Sequence, residues 1–511
     1  MVDDKFVSVI DCNEPGAELL ARAWPGIRHN VFSTLEEYAS TKGCTTAISL
    51  LRLGYDRVDT SQNPRTVYIT LDYNSSGYGW PPVSRRIQEY LDSFNMALVV
   101  HMEHNFIDDM SEFPLLKSSF SDLERNVFQK HGVDSGVAYS KGVKLGDAIG
   151  AAIYLERSDG KMCNPQIGTL GCWVEIKLEG KDHWIKMGLS CYHVLRCCLP
   201  GFQVGTKEVK SGGADVVRGV SSHPKPNTSC WEADKKGFVP SKTSEFENVE
   251  HPPRMRHNLV ITDIEAAITR VKDCNGPQSA IARLENELRD KKMFFDEGMQ
   301  EFGSPYLASG YLRRSATGGR LDWSLIKPND DNRVAGNPLP PTSILHGRGY
   351  NRSEMPWEED TSLKSQGKSI RDHVKDGTFD SSKELLGYKR GATTGFTVGK
   401  LSVLKTDCTI IEEKHLGLGT RESPARPSRY STEYIFCGAE AAPIRSFAEQ
   451  GDSGAAVYDQ EGRILGIVFR GQMPQQSRQG YAMVTPIEDV FEDIKKLSEG
   501  KVEDIRVLGS T

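Results

Sequence analysis

The sequence has no run of 18 apolar residues, no CxxC pair, no glycine-rich phosphate loop, no block of basic residues and no internal repeat. Without the apolar run it offers no helix that would cross a bilayer. The opening MVDDKFVSVIDCNEPG lacks the charged start and apolar stretch of a secretory leader, so an intracellular protein, cytoplasmic or nuclear, is expected, with no membrane partner. Lys and Arg number 63 against 69 Asp and Glu, a net charge of −6. That balance, with no basic block, argues against nucleic acid as a partner. The missing phosphate loop removes support for a nucleotide role. Eleven scattered cysteines read as reduced thiols. A zinc set of Cys191, His193, Cys197 and Cys198 can be drawn, but the ligand spacing of structural zinc sites is missing. No metal and no cofactor is expected.

What is present is a chain of 511 residues, 38% hydrophobic and 26% charged, long enough for about three domains at roughly 150 residues each. Residues 1–135 read as a small, independent α/β module of unassigned role. Ser33 and Glu36 have the spacing of a capping box that opens a helix through Leu35, Tyr38 and Ala39. A strand is expected over 66–72, where Val67, Ile69 and Leu71 alternate with polar neighbours. A helix follows from Trp80-Pro81-Pro82 through Val83, Ile87, Tyr90, Leu91 and Phe94, then a strand over 96–101. His101 and His104 flank Glu103, and the simplest reading is a hydrogen-bonded or surface pair of histidines.

From about 140 the pattern changes to short apolar runs punctuated by glycine, over 148–155, 171–178 and 183–195, which predicts an all-β domain. An insertion at 200–305 carries two helical patterns. One has Val260, Ile264, Ile268 and Val271 on one face, and the other has Ile281, Leu284 and Leu288. Residues 327–372 read as an exposed loop. β pattern returns over 395–404, 434–437, 455–458, 464–469 and 481–485, before a closing helix through Ile487, Val490, Phe491, Ile494 and Leu497. The β-rich region is bounded at 136–498, with 499–511 as a tail.

Gly451-Asp452-Ser453-Gly454 is the most informative tetrapeptide. Glycines on both sides let the backbone fold tightly and aim amides at one point, as acyl transfer requires. A serine hydroxyl attacks a carbonyl while two backbone N–H groups, here those of Gly451 and Ser453, stabilise the oxyanion. An ordinary β-turn is the plain alternative. The segment that follows, Ala455–Tyr458, a turn at Gly462, and Leu465-Gly466-Ile467-Val468-Phe469-Arg470-Gly471, makes the chain resemble the chymotrypsin-like (trypsin-fold) serine endopeptidases.

That resemblance implies a mostly β, double-barrel protease domain and upstream His and Asp residues in that order. His193 lies in Gly188-Leu189-Ser190-Cys191-Tyr192-His193, similar to the family's histidine segment, and Asp322 in Leu321-Asp322-Trp323-Ser324-Leu325-Ile326, similar to its aspartate strand. The catalytic set implied is His193, Asp322 and Ser453. Asp263, in Asp263-Ile264-Glu265-Ala266-Ala267, is a weaker candidate for the acid because it falls inside a helical pattern. Lys389–Gly399 also resembles a strand-opening segment of the second barrel in intracellular, fungal and viral relatives. The whole is similar to uncharacterised fungal intracellular trypsin-like proteins, with the N-terminal module outside the match. The spacings are stretched, 129 residues from His193 to Asp322 and 131 from Asp322 to Ser453, which long surface insertions tolerate.

Two departures matter. No Ile-Val-Gly-Gly start is visible, so activation by a terminal ammonium on Asp452 is not expected, and the turn must be held another way or form when a partner binds. Phe447 stands six residues before the serine, where an acidic residue would select Lys or Arg. With Phe469, Gly471 and Gly480 it is the expected substrate pocket, suited to an uncharged residue. The expected partners are a protein or peptide substrate and a regulatory protein at the insertion or N-terminal module. The competing function is a non-catalytic interaction protein on the same fold. An esterase is disfavoured because Ala455 breaks the Gly-x-Ser-x-Gly elbow.

Overall fold

The computed structural model describes residues 5–56, 59–72, 74–104, 139–210, 216–241, 245–339, 369–370, 372–375, 385–409, 430–439, 446–475, 477 and 479–510. Most of the expected loop at 327–372 and the end of the N-terminal module lie outside them.

The N-terminal region contributes strands β1 (Phe6–Ser8), β2 (Thr45–Gly54), β3 (Arg65–Leu71) and β4 (Leu98–His104) with helices α1 (Ala17–Glu37) and α2 (Trp80–Asp92). β3 and β4 are parallel across α2, the expected β-α-β order, and α2 begins with prolines in its first turn, where their missing N–H groups cost nothing. The expected helix start at Ser33 is wrong. α1 begins at Ala17, Ser33 Oγ donates to His29 O within the helix, and Glu36 accepts from Gly43 N instead of closing a capping box. Pro25 inside α1 hides this helix from a sequence reading, since an interior proline costs about 3 kcal/mol. Leu20, Trp24, Ile27, Val31 and Leu35 outweigh it by burying one stripe against β2 and β3, at about 2 kcal/mol per side chain.

The module is not independent. β2 pairs antiparallel with β19 (Thr406–Thr409), so its strands extend a sheet of the following region. Trp24 Nε1 and Arg28 Nη1 both donate to Lys405 O, at 2.6 and 2.9 Å. Ser49 Oγ lies 2.8 Å from the Tyr481 hydroxyl. His101 pairs with Glu103 at 3.0 Å, and His104 Nε2 with Ser75 O at 2.9 Å, as the simpler reading of those histidines expects.

The rest of the chain is mostly β. An eight-stranded sheet begins with β5 (Ala148–Ala151), followed by the small hairpin β6 (Leu155–Glu156) and β7 (Met162–Cys163). β8 (Ile167–Thr169), β9 (Cys172–Leu178) and β10 (Trp184–Ser190) come next, then the short helix α3 (Tyr192–Leu195). The insertion follows. It holds the paired strands β11 (Phe202–Lys210) and β12 (Val216–Pro224), helix α4 (Ser229–Lys236), strand β13 (Val249–Glu250) and helices α5 (Arg254–Asp273) and α6 (Gln278–Asp296). α5 and α6 form the expected hairpin, closed by Ile264, Ile268 and Ile281 with Val260, Val271, Leu284 and Leu288 around them. β14 (Glu301–Ala308) and β15 (Ser324–Pro328) return to the sheet, which β5 and β13 also enter.

A closed ring of six strands forms the second unit. β17 (Leu386–Gly391), β18 (Gly395–Leu401), β20 (Tyr430–Gly438), β21 (Ala456–Tyr458), β22 (Arg463–Gln472) and β23 (Tyr481–Pro486) pair in the order β17, β18, β20, β23, β22, β21 and back to β17. β16 (Asp372–His373) adds a parallel edge to β22. Phe436, Phe447, Val457, Val468, Ala482 and Val484 share one apolar cluster of ring residues. α7 (Ile487–Leu497) matches the expected closing helix. The expected tail is instead a strand, β24 (Val502–Val507), on the edge of the eight-stranded sheet beside β9. None of the eleven cysteines forms a disulfide. No helix among the described residues is long and apolar enough to cross a membrane.

Candidate functional site

His193 follows a strand, Asp322 lies two residues before one, and Ser453 lies in a turn three residues before one. His193 lies in α3, directly after β10, and Asp322 two residues before β15. β10 and β15 pair through Ser190↔Ser324, so the two side chains start from adjacent strand ends. His193 Nδ1 lies 2.9 Å from Asp322 Oδ2, and the His193 backbone N–H donates to Asp322 Oδ1 at 3.0 Å. Arg320 Nη2 adds a third contact at 3.3 Å. Asp322 is fully buried and His193 only 3% exposed. Asp263 lies on α5 and is not the histidine's partner.

The helix that carries His193 is held from the insertion. Asp234 on α4 accepts from the Tyr192 hydroxyl at 2.6 Å and from Arg196 Nε at 2.8 Å, bracketing the histidine on both sides. Burial and the Asp234 charge hold the Tyr192 hydroxyl protonated, well above its ordinary range.

Ser453 belongs to a turn that requires its glycines. Gly451 has φ 93° and Gly454 φ 94°, the left-handed region that side chains rarely adopt. A Cβ on Gly451 would lie 2.3 Å from Thr393 Oγ1, and one on Gly454 would lie 2.4 Å from Ser190 Oγ and 3.2 Å from Cys191 N. The second contact seats the turn against the strand end that leads into His193. Thr169 pins it from β8, donating its N–H to Ser453 O at 2.8 Å and its hydroxyl to Gly451 O at 2.9 Å. Gly454 N donates to Val468 O at 2.7 Å. Among the described residues the N–H groups of Gly451 and Ser453 have no acceptor, and Ser453 Oγ, although buried, has no hydrogen-bond partner. Ser453 Oγ thus makes no hydrogen bond to His193.

Asp452 points away from the serine into a buried pocket of donors. Lys389 Nζ lies 3.0 Å and Thr394 Oγ1 2.6 Å from Oδ2. The N–H groups of Thr393 and Thr394 reach Oδ1 at 2.9 and 3.1 Å, and Glu449 N reaches Oδ2 at 3.1 Å. Burial alone would push this carboxyl up, but Lys389 and the hydrogen bonds outweigh it and hold it below its ordinary range. The first turn of α5 reaches the same loop, where Arg256 Nη2 donates to Ala392 O. Burial lowers the Arg256 guanidinium to about 10, against the opposing pull of Asp452 and Asp147.

The four expected pocket residues divide. Phe447 is fully buried in the apolar cluster of the ring, stacked on Phe436 with centroids 5.4 Å apart, and its carbonyl accepts from Thr397. Phe469 is 1% exposed beneath the Arg320 guanidinium. Gly471 is half-buried, and a Cβ on Gly480 would lie 2.4 Å from Gln472 O. Phe447 thus packs within the ring's apolar cluster, with the Lys389 ammonium over its face.

Cys191, His193 and Asp322 bring ligand-type atoms within 4.8 Å of one another. Cys197 and Cys198 do not join them. The Cys191 thiol donates to Val468 O, and the His193 and Asp322 side chains bond each other, so each of the three already has a hydrogen-bond partner. Sequence reasoning missed Lys389, Thr169, Thr394 and Asp234. Lys389 and Thr394 lay within the Lys389–Gly399 segment noted for its resemblance to a second-barrel segment, but no local pattern marked either one.

No family model matches this chain, and no curated protein matches it. Among solved structures it is similar to Rv3671c from M. tuberculosis H37Rv, a mutant in an inactive form, at 12% identity over 38% of this chain and 66% of that one, with a TM-score of 0.19. It is also similar to the Rv3671c protease from M. tuberculosis in its active form, at 12% identity over 61% of this chain and 83% of that one, with the same TM-score of 0.19. Both are weak likenesses, and in the first case the chain spans just under two thirds of its relative.

Proposed function

We propose that the protein is a serine endopeptidase, a trypsin-like enzyme on a double β-barrel, that hydrolyses peptide bonds through His193, Asp322 and Ser453. The observation that carries this reading is the buried His193–Asp322 pair at 2.9 Å beside a glycine-flanked serine whose hydroxyl is unbonded. In this mechanism His193 Nε2 takes the Ser453 hydroxyl proton as Oγ adds to the scissile carbonyl. The N–H groups of Gly451 and Ser453 receive the oxyanion, and His193 returns the proton to the departing amine. Water then hydrolyses the acyl-serine by the same path. Asp322 holds the proton on Nδ1, leaving Nε2 to accept. The second barrel is the six-strand ring. The first is read in the eight-stranded sheet, whose end strand β8 runs through Leu170 and Gly171 directly into β9, with Gly171 N donating to Leu189 O.

The substrate class is a protein or peptide within the cell, with an uncharged residue before the scissile bond. Preferential cleavage after Lys or Arg in a peptide library would reject that specificity. The activity itself is tested by a fluorophosphonate probe with the adduct located by peptide mass spectrometry. Labelling at Ser453 is expected, absent in Ser453→Ala and in His193→Ala. Stoichiometric labelling elsewhere, or none in either the intact or a proteolytically clipped chain, would sink the reading and leave a protease-fold interaction protein.

A further inference from the structure

We infer that Lys389 is a positioning residue that holds the serine turn ready in the intact chain. The inference rests on the endopeptidase reading, and its basis is the arrangement around Asp452. That residue lies between Gly451 and Ser453, whose N–H groups would receive the oxyanion. Its side chain is clamped at five points, three on Oδ2 and two on Oδ1. Of these donors only Lys389 carries charge.

Lys389 and Asp452 are both fully buried. A buried ion pair is a poor source of net stability, because each charge loses its hydration. What it supplies is geometry. Lys389 sits on β17 between Thr397 of β18 and Val457 of β21, so its stem is fixed by the ring. Its ammonium donates to Thr394 Oγ1 at 2.6 Å and lies over the Phe447 ring at 5.5 Å, which leaves it little freedom. Gly391 completes the seat, since a Cβ there would lie 2.2 Å from Asp452 Oδ1. Asp452 N donates to Glu449 O at 3.0 Å and its Oδ2 accepts from Glu449 N at 3.1 Å, so the clamp spans the 450–451 peptide that carries the Gly451 N–H, while the Ser453 N–H lies on the peptide directly after Asp452. The cation that fixes the turn thus comes from inside the fold, and neither chain cleavage nor a bound partner is required to set the two amides.

The test uses the full-length, uncleaved chain and single-turnover labelling by the fluorophosphonate probe, with the rate at saturating probe and the half-saturating concentration read separately. Wild type is expected to label once per chain without prior proteolysis. Lys389→Met is expected to label at least about 100-fold more slowly, the size expected for losing an oxyanion donor, with the half-saturating concentration changed less than about threefold. If that variant does not fold, Lys389→Met/Asp452→Asn removes both charges at nearly constant volume, and the same slow labelling of a chain that still melts cooperatively is expected. A folded double variant that labels at the wild-type rate overturns the inference and leaves the endopeptidase reading intact. So does wild type that labels at Ser453 only after clipping. Wild type that labels nowhere under either condition removes the reading and the inference with it.

Discussion

Two buried carboxylates flank the serine turn, and they are held in opposite ways. Asp322 accepts from the backbone and ring of His193 and from Arg320, so its strongest partner is a group that can gain and lose a proton. Asp452 accepts from a lysine, a hydroxyl and three backbone amides, none of which changes charge near neutrality. The first arrangement can follow a proton during a reaction, and the second can only keep a turn in place. Burial is shared, so the difference in partners is what separates a carboxylate suited to chemistry from one suited to structure.

The sharpest way to separate the two is to neutralise Asp322 without changing its size. Asp322→Asn offers His193 an amide, which favours the wrong ring tautomer, and the labelling rate at Ser453 is expected to fall about 10⁴-fold. The chain should still fold, because Asn keeps an oxygen for the His193 N–H. Loss of cooperative unfolding in this variant would mean that Asp322 is a strut like Asp452.

The next largest effect is expected on the other side and in stability. Lys389→Met leaves the Asp452 carboxylate buried without its cation, and breaking a buried pair from one side costs about 3–5 kcal/mol. Urea unfolding of the wild type and the variant measures it. A loss below about 1 kcal/mol would show that the amides alone hold Asp452, and the contrast with Asp322 would weaken.

Acid titration gives a smaller effect with a definite sign. The Asp452 carboxyl is held below its unfolded value, because Lys389 and its hydrogen bonds outweigh burial. Its stabilising contribution is therefore complete above about pH 4 and is lost as the pH falls through the lower folded value. The slope is at most about 1.4 kcal/mol per pH unit for one proton. In Lys389→Met, burial is no longer opposed by the ammonium, so the variant should lose less stability than wild type over the same acid range. Parallel stability curves for the two proteins below pH 4 would break the assignment of the shift to Lys389.

These two sides of the site were unequally legible in the sequence. Gly451-Asp452-Ser453-Gly454 and the strand after it could be read because a tight turn and a short apolar strand leave local patterns, and the two upstream segments were sought because the family resemblance implies them. The hairpin at 254–296 and the helix at 487–497 were also read from a local pattern, apolar residues at helical spacing. The Asp452 seat was not. It is made by Lys389, Thr393 and Thr394, some 60 positions upstream, and only ring closure brings them to the turn. The joining of β2 to β19 was invisible on the same ground, since strand pairing across some 360 residues leaves no local trace. Pro25 concealed α1 by a different route, a local penalty overridden by burial of five side chains. Phe447 was placed in the pocket by analogy with the family's pocket position six residues before the serine, and the structure buries it in the ring cluster.

The smallest effect tests whether charge or hydroxyl carries the Asp452 seat. Thr394 Oγ1 stands between the two charges, accepting from Lys389 Nζ and donating to Asp452 Oδ2, both at 2.6 Å. Thr394→Val keeps the shape and removes both bonds while the direct Lys389–Asp452 contact at 3.0 Å remains. The expected loss is about 1–2 kcal/mol by urea unfolding, with labelling at Ser453 slowed less than tenfold. A loss as large as that of Lys389→Met would mean that the ammonium acts through the hydroxyl and not on the carboxylate. Asp452 would then be held by a relay, and its contrast with Asp322, which meets its own cation and its own ring directly, would rest on connectivity instead of charge.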